Sequence, residues 1–177
     1  HLSTLRATPN MSTWRPANLT ETAAAWLNAL KNENSPTSIV LSRQKLRHFV
    51  TSNFEDACSG GYFFKKMPNA KINLIATGSE VTVALDASEI LKKEGIEVNI
   101  ASVPCIEALE KNKKRYDSIF DNDISIAIEC SHPSSWYKHT KRVIGIDAYG
   151  ESGAGNDLLS HFGFTAAKIA QRIKEIL

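Results

Sequence analysis

The strongest constraint on the fold is a regular alternation of two hydrophobic patterns along the second half of the chain. Short apolar runs rich in β-branched residues are typical of buried strands, and they alternate with longer segments of helical periodicity. The strand-like runs are residues 72–76, 97–103, 124–129 and 143–147. This alternation predicts a three-layer α/β/α sandwich around a mostly parallel sheet.

The first part of the chain contains the same pattern once. An extended run at residues 12–14 precedes a helix that Asn18 or Thr20 could cap, and a buried strand is expected at residues 37–42. This order is a βαβ unit, or the last part of one. Residues 45–69 mix glycine, aromatic residues and proline and are interpreted as a linker with a short strand at its end. One broad apolar face of the helix is formed by Ala23, Ala24, Trp26, Leu27 and Leu30.

Composition limits the classes of partner and the location. The net charge of the 177 residues is +2, which is too small to indicate a nucleic-acid or membrane partner, and the basic residues at 111–115 are interpreted as a solvated helix face. Three cysteines without CxxC spacing fit neither a disulfide framework nor a zinc site, so a reducing, cytoplasmic location is expected. No apolar run approaches the length of a membrane span, and no signal-peptide pattern opens the chain. Because the chain begins at His1, we expect it to be part of a longer protein.

The best candidate for a binding site is the polar end of the second strand, where Ser42, Arg43 and Gln44 follow one another. In open parallel sheets, ligands bind beyond the carboxyl ends of the strands. An arginine in this place can donate two parallel hydrogen bonds to a phosphate or a carboxylate group. The alternative is that Arg43 pairs with a carboxylate of the protein itself.

Two turns resemble anion-binding loops but lack the full sequence patterns. Residues 77–80 lie between a strand and a helix, and Thr77 with Glu80 matches a capping box, so a helix cap is preferred to an anion site. The glycines of residues 150–155 have a spacing that fits no nucleotide-binding fingerprint, and we interpret this segment as a structural loop.

No complete catalytic set is predicted. Cys130 and His132 are two residues apart at the end of a strand, but a nucleophile needs a base brought to the sulfur and a third group to orient it. His48, His139 and His161 are isolated and have no metal-ligand spacing.

Several motifs resemble the transketolase family and occur in that family's order. Residues 5–16 are similar to its L-R-x-x-P-N-x-x-x-W-R-P run, and residues 41–46 are similar to its L-S-R-Q-N-L, with Lys45 in place of the usual asparagine. Further similar motifs are residues 60–62, 75–81, 136–138, 149–152 and 162–165. The resemblance covers essentially the whole chain.

The resemblance implies a domain organisation. Residues 1–50 resemble the end of the pyrimidine-binding domain, residues 51–70 a linker, and residues 71–177 the C-terminal domain. In this family the C-terminal domain has a five-stranded mixed sheet with one antiparallel strand.

The resemblance also implies an activity for the intact protein. The family transfers a two-carbon ketol unit from a ketose phosphate to an aldose phosphate in the pentose phosphate pathway, as a homodimer, with thiamine diphosphate and Mg²⁺ or Ca²⁺. The cofactor, metal and catalytic residues of the family correspond to no position in this chain. The family's sugar-phosphate contact that falls inside it is Arg43. The chain alone is therefore expected to be inactive and to bind neither thiamine diphosphate nor metal.

Two alternatives remain at the level of sequence. The chain could be a non-catalytic structural, dimerisation or regulatory module. It could also belong to another thiamine-dependent enzyme, such as a dihydroxyacetone synthase or a deoxyxylulose phosphate synthase, although the S-R-Q and W-R-P runs favour transketolase over the latter.

Overall fold

A five-stranded mixed sheet forms the centre of the structure, a computed structural model that describes residues 1–47 and 53–177. Its strands lie in the spatial order Tyr62–Lys65, Asn99–Ser102, Ile72–Ala76, Ile124–Ile128 and Arg142–Ile144; the first is antiparallel to the second, and the other neighbours are parallel. The elements, in chain order, are α1 (Leu2–Ala7), β1 (Ser12–Trp14), α2 (Leu19–Lys31), β2 (Thr37–Ile39), α3 (Phe54–Cys58), β3 (Tyr62–Lys65), β4 (Ile72–Ala76), α4 (Glu80–Lys93), β5 (Asn99–Ser102), α5 (Ile106–Glu110), α6 (Lys113–Phe120), β6 (Ile124–Ile128), a 3₁₀ helix (Pro133–Trp136), β7 (Arg142–Ile144), α7 (Gly155–His161) and α8 (Ala166–Ile176).

Both faces of this sheet are covered, which explains why its central strands are mainly apolar rather than alternating regularly with polar residues. Leu74 of β4 belongs to a buried cluster shared with α4 and α8, whereas its neighbour Ile75 belongs to a second cluster shared with α5, α6 and Trp136. Successive strand residues point to opposite faces, so a single strand contributes to both layers. The predicted three-layer fold with a five-stranded mixed sheet is confirmed. We call this sheet and its helices, residues 60–177, the C-terminal unit.

The smaller sheet consists of β1 and β2, which are parallel and connected by α2, as the predicted βαβ unit requires. The prediction of a buried strand at residues 37–42 is wrong in its end point and in its burial. The strand ends at Ile39 and its residues are only half-buried. The reason is that, within the described part of the chain, β2 pairs with β1 alone, so its other edge has no ladder to extend it.

Helix α2 begins where the sequence predicts, but it buries a different face. The side chain of Asn18 accepts a hydrogen bond from a backbone N–H of the first turn at 2.9 Å and caps the helix. The buried residues on the sheet side include Ala24 and Ala25, whereas Trp26 and Leu30 are 56% and 76% exposed. Small alanine side chains let the helix approach Trp14 and Tyr62 closely, in one buried cluster.

Other differences concern elements that the sequence pattern did not mark. Helices α1 and α3 were not predicted, and the segment that begins at Pro133 forms a single 3₁₀ turn. By contrast, a short strand was predicted at the end of the linker, and β3 lies in that range and forms an edge of the larger sheet. The expected boundary between residues 50 and 51 lies outside the described residues. No helix in the described ranges is both long and apolar enough to cross a membrane.

Candidate functional site

The segment after β2, residues 41–47, and the start of α2 enclose a cleft of about 460 Å³. We call residues 41–47 the Arg43 loop. Because β1 and β2 are parallel, their carboxyl ends lie on the same side, and the segments that follow both strands contribute to the cleft. Its walls are formed by Pro16, Ala17, Asn18, Leu19, Thr22, Leu41, Ser42, Leu46 and Arg47. This is the position at which open parallel sheets bind ligands.

The predicted binding residue, Arg43, follows the cleft residue Ser42 and is exposed. Within residues 1–47 and 53–177, no hydrogen bond or ion pair joins its guanidinium group to another residue. The alternative of a pairing with a carboxylate of the chain is therefore not seen in this range. An arginine side chain carries five N–H donors in a planar fork, and here they face solvent beside the cleft.

Two contacts that the sequence did not indicate connect the Arg43 loop to the C-terminal unit. Gln44 lies directly over Gly155, the first residue of α7. Arg47 Nη2 lies 3.0 Å from the Oδ1 of Asp86 on α4. No local pattern marks these pairs, because their partners are distant in the sequence.

A buried cluster of two arginines and two glutamates joins the first part of the chain to the C-terminal unit. Arg6 donates to both carboxylate oxygens of Glu129, at 2.5 and 2.8 Å. Arg15 Nη1 donates to Glu129 at 2.8 Å and to Glu80 at 2.7 Å. Trp136 Nε1 donates a further bond to Glu129 at 2.7 Å. The side chains of all four charged residues are less than 10% exposed.

This cluster shifts the pKa values of Glu129 and Arg15. Burial raises the pKa of Glu129, but the hydrogen bonds and charge of Arg6, together with the charge of Arg15, outweigh it and lower the pKa to about 2. Burial lowers the pKa of Arg15, and the charges of Glu80 and Glu129 outweigh this effect, so that its pKa is raised overall. Glu129 and Arg15 are therefore both charged over the physiological pH range.

The turn at residues 77–80 contributes Glu80 to the same charged cluster. The predicted capping box is wrong, because the N-cap residue is Ser79 and its side chain makes no capping hydrogen bond. The Glu80 carboxylate instead accepts hydrogen bonds from Arg15 and from the Cys130 backbone N–H, the latter at 3.1 Å. The salt bridge with Arg15 directs Glu80 away from the helix terminus. Because a buried acid is already present, this turn is not an anion site.

Cys130 and His132 do not form a nucleophile and base. Burial, followed by the nearby charge of Glu80, raises the pKa of the Cys130 thiol far above its ordinary value, which keeps the sulfur neutral. The Nε2 of His132 lies 3.1 Å from Asp147, and its Nδ1 accepts from the Ser134 N–H at 3.3 Å. Both ring nitrogens are thus engaged away from the sulfur.

The other histidines form no site in the part of the chain that is described. His139 lies in an aromatic cluster with its Nδ1 2.8 Å from the hydroxyl of Tyr116, and burial lowers its pKa to about 4. His161 lies 3.8 Å from Glu151 at the surface. His48 lies outside the described residues. In residues 1–47 and 53–177 there is no group of three or more His, Cys, Asp or Glu side chains that could hold a metal ion.

The basic residues at 111–115 and the loop at 150–155 form no ligand site of their own. Lys113 pairs with Asp117 one helical turn away, and Arg115 lies 2.8 Å from Asp56, which agrees with a solvated helix face. The loop leads into α7, whose first residue contacts Gln44.

Comparison with known proteins identifies two family domains in the chain. The profile described as "Transketolase-like TK C-terminal domain" matches residues 60–165, and that of the "Transketolase, pyrimidine binding domain" matches residues 1–48. Transketolase 1 of Vibrio vulnificus is 38% identical over 185 residues, and transketolase of Buchnera aphidicola is 40% identical over 181 residues. These matches cover 99% and 97% of this chain but 28% and 27% of the relatives.

The solved structures agree with the sequence relatives. Transketolase from Pichia stipitis, in complex with sedoheptulose 7-phosphate, superposes with a TM-score of 0.94 and 32% identity, and the match covers 98% of this chain and 26% of that one. The chain thus spans little more than a quarter of the length of the transketolases it matches. Because a family profile covers more than half of its residues, the chain belongs to the transketolase family.

Proposed function

We propose that the chain is the C-terminal part of a transketolase, which transfers a two-carbon ketol unit from a ketose phosphate to an aldose phosphate in the pentose phosphate pathway. Family membership over nearly the whole chain supports this proposal. We also propose the division into residues 1–50, the end of the pyrimidine-binding domain; 51–70, a linker; and 71–177, the C-terminal domain. The match of the pyrimidine-binding profile to residues 1–48 supports the end of the first domain, whereas the C-terminal profile begins at residue 60, within the proposed linker.

Within this activity, Arg43 binds the phosphate group of the sugar. The observation that carries the assignment is an exposed guanidinium group, unpaired in the described ranges, next to a cleft at the carboxyl ends of two parallel strands. A phosphate accepts two parallel hydrogen bonds from an arginine, and such a charge-assisted contact contributes about 1.5–3 kcal/mol. Arg43 thus holds the substrate in place, while bond breaking belongs to groups outside this chain.

The cofactors of the family do not fit the residues of this chain. The described residues offer no cluster of metal ligands, and the residues lining the cleft include no carboxylate that could activate a thiamine ring. The proposal therefore assigns thiamine diphosphate and Mg²⁺ or Ca²⁺ to the rest of the longer protein, and it expects this chain alone to be inactive. The match to a pyrimidine-binding domain supports the use of thiamine diphosphate.

The proposal includes a homodimeric, cytoplasmic protein with sugar phosphates as its ligands and no nucleic-acid or membrane partner. Leu19, Trp26 and Leu30 are apolar residues of α2 that are 56–76% exposed, which supports an assembly surface on this helix. The three cysteines are free, which suits a reducing compartment.

The role of Arg43 is tested in the full-length protein with the variant Arg43→Ala. We expect the KM for sedoheptulose 7-phosphate to rise by about ten- to a hundredfold, because each 1.4 kcal/mol of lost binding corresponds to a factor of ten. The KM for an unphosphorylated ketose should not change. Lys45→Ala is the matched control, since it removes an exposed cation from the same loop. An unchanged KM for the phosphorylated ketose in Arg43→Ala would contradict the assignment.

A further inference from the structure

The residues that follow Arg43 in the Arg43 loop contact the C-terminal unit. A β-carbon added to Gly155 would overlap the Nε2 of Gln44, and it would lie 3.0 Å from the Cδ and 3.2 Å from the Cγ of that residue. Gln44 therefore lies flat over the backbone of Gly155, from its Cγ to its amide group. This contact begins one residue after Arg43.

The backbone conformation does not explain the glycine at this position. The glycines with positive φ are Gly60, Gly78, Gly95 and Gly163, and Gly155 is not among them. Gly155 is the first residue of α7, where any residue with helical dihedral angles is tolerated. What its missing side chain provides is the space that Gln44 fills.

A second contact lies three residues further along the loop. Arg47 Nη2 and Asp86 Oδ1 are 3.0 Å apart, and the two side chains are 54% and 45% exposed. An exposed ion pair alone holds a segment weakly. Together with the contact at Gly155, however, it fixes the loop at two points, against α7 and against α4.

We propose that Gln44 and Arg47 are positioning residues for Arg43, and that the C-terminal unit sets the place of the anion-binding guanidinium through Gly155 and Asp86. This inference rests on the proposed role of Arg43. Consecutive Cα atoms are 3.8 Å apart, so a displacement of the Gln44 backbone also moves the backbone of Arg43. The C-terminal unit would thus contribute to substrate binding without touching the substrate.

The first test is Gly155→Ala in the full-length protein. The added methyl group displaces Gln44, and we expect the KM for sedoheptulose 7-phosphate to rise at least about threefold while kcat is unchanged, because small misplacements of a binding group weaken its contacts strongly. Alanine favours the helix that begins here, so the variant should fold, which thermal unfolding will verify. Gly150→Ala is the matched control: it lies in the same loop, and its β-carbon would meet nothing within 4 Å.

Double-mutant cycles separate positioning from a general disturbance. In a Gln44→Ala background the space over residue 155 is empty, so Gly155→Ala should have no further effect on KM. At the ion pair, Arg47→Ala and Asp86→Ala should each raise the KM by about one and a half- to fivefold, the range of an exposed ion pair, and the double variant should be no worse than either. Arg47→Lys keeps the charge and should restore most of the affinity.

The outcomes distinguish this inference from the proposed function. If Arg43→Ala raises the KM but Gly155→Ala and the ion-pair variants do not, the positioning role is wrong and the phosphate contact stands. If Arg43→Ala has no effect, the phosphate contact is wrong. Hydrogen exchange of peptides within residues 41–47 then still tests the two contacts, since Gly155→Ala and Asp86→Ala should accelerate exchange there. Unchanged exchange would overturn the positioning role.

Discussion

The carboxylate of Glu129 provides the largest single test of how the two parts of the chain are held together. We predict that Glu129→Gln lowers the free energy of unfolding by about 3 kcal/mol at pH 7. A carboxyl pKa that falls from 4.5 in the unfolded chain to about 2 in the native state corresponds to this amount. Breaking a buried ion pair by removing one partner has a similar cost, about 3–5 kcal/mol.

The cost arises mainly at Arg6, since Arg15 keeps Glu80 as a partner at 2.7 Å. Arg6 is 5% exposed, and both of its terminal nitrogens bind Glu129. Its Nε is buried and has no partner in the described residues, and Nη1 would keep only the neutral Ser135 hydroxyl at 3.2 Å, so no other anion replaces the lost carboxylate there. Arg6→Met together with Glu129→Gln should therefore destabilise by less than the sum of the two single changes.

Urea unfolding from pH 7 to pH 2 measures the effect. A lowered carboxyl pKa stabilises the native state fully above the unfolded value of 4.5, and this stabilisation is lost as the pH falls towards about 2. The difference between the wild type and Glu129→Gln should shrink over that interval. Glu151→Gln is the matched control, because its side chain is 62% exposed, and it should change stability by less than about 0.5 kcal/mol. A Glu129→Gln variant as stable as this control would refute the reasoning.

Two further predictions concern backbone and protonation. Gly60 has φ +85°, and a β-carbon added to it would overlap the carbonyl oxygen of Cys105, so Gly60→Ala should lower the free energy of unfolding by at least about 3 kcal/mol. Gly95 has a similar φ of +80° but nothing within 4 Å of its added β-carbon, so Gly95→Ala should lower it by only about 1 kcal/mol. Urea unfolding of the two variants measures the difference. His139 should titrate by NMR near pH 4, and because its native pKa lies below the unfolded value of 6.5, its contribution to stability is lost as the pH falls between these values; a midpoint near 6.5 would contradict its burial.

The larger sheet could be predicted from the sequence because each central strand is covered on both faces. Residues 72–76 and 124–128 are mainly apolar for this reason, with one polar residue in each, and they are the neighbouring parallel strands β4 and β6. Helix α2 shows the limit of the same pattern. Periodicity groups Trp26 and Leu30 with Ala24, but close approach to Trp14 is possible only on the alanine side.

The charged cluster could not be predicted, because its partners are far apart in the sequence. Arg6 and Glu129 are 123 residues apart, and Arg15 and Glu80 are 65 apart. The local sequence at Glu80 fits a capping box, which would stabilise the helix by about 1 kcal/mol. Pairing with Glu80 instead gives the buried charge of Arg15 a partner, and a buried charge without a partner costs far more than a lost cap. The tertiary contact therefore prevails over the local motif. The contacts of the Arg43 loop with Asp86 and Gly155 could not be predicted either, because these residues are also distant from the loop in the sequence.

The position of Arg43 depends on a second buried junction as well as on the charged cluster. Glu21 of α2 is fully buried and accepts hydrogen bonds from the Tyr62 hydroxyl at 2.6 Å and the Ser102 hydroxyl at 2.7 Å, and these two residues lie on β3 and β5. Burial raises the pKa of Glu21, and these hydrogen bonds partly offset that effect. Sliding α2 along the sheet would remove both hydroxyl donors from this buried carboxyl group, at a cost of about 1–3 kcal/mol or more. Since the start of α2 forms one wall of the cleft and the Arg43 loop forms the other, both walls are held by contacts to the C-terminal unit. The shape of the cleft therefore depends also on residues that do not line it.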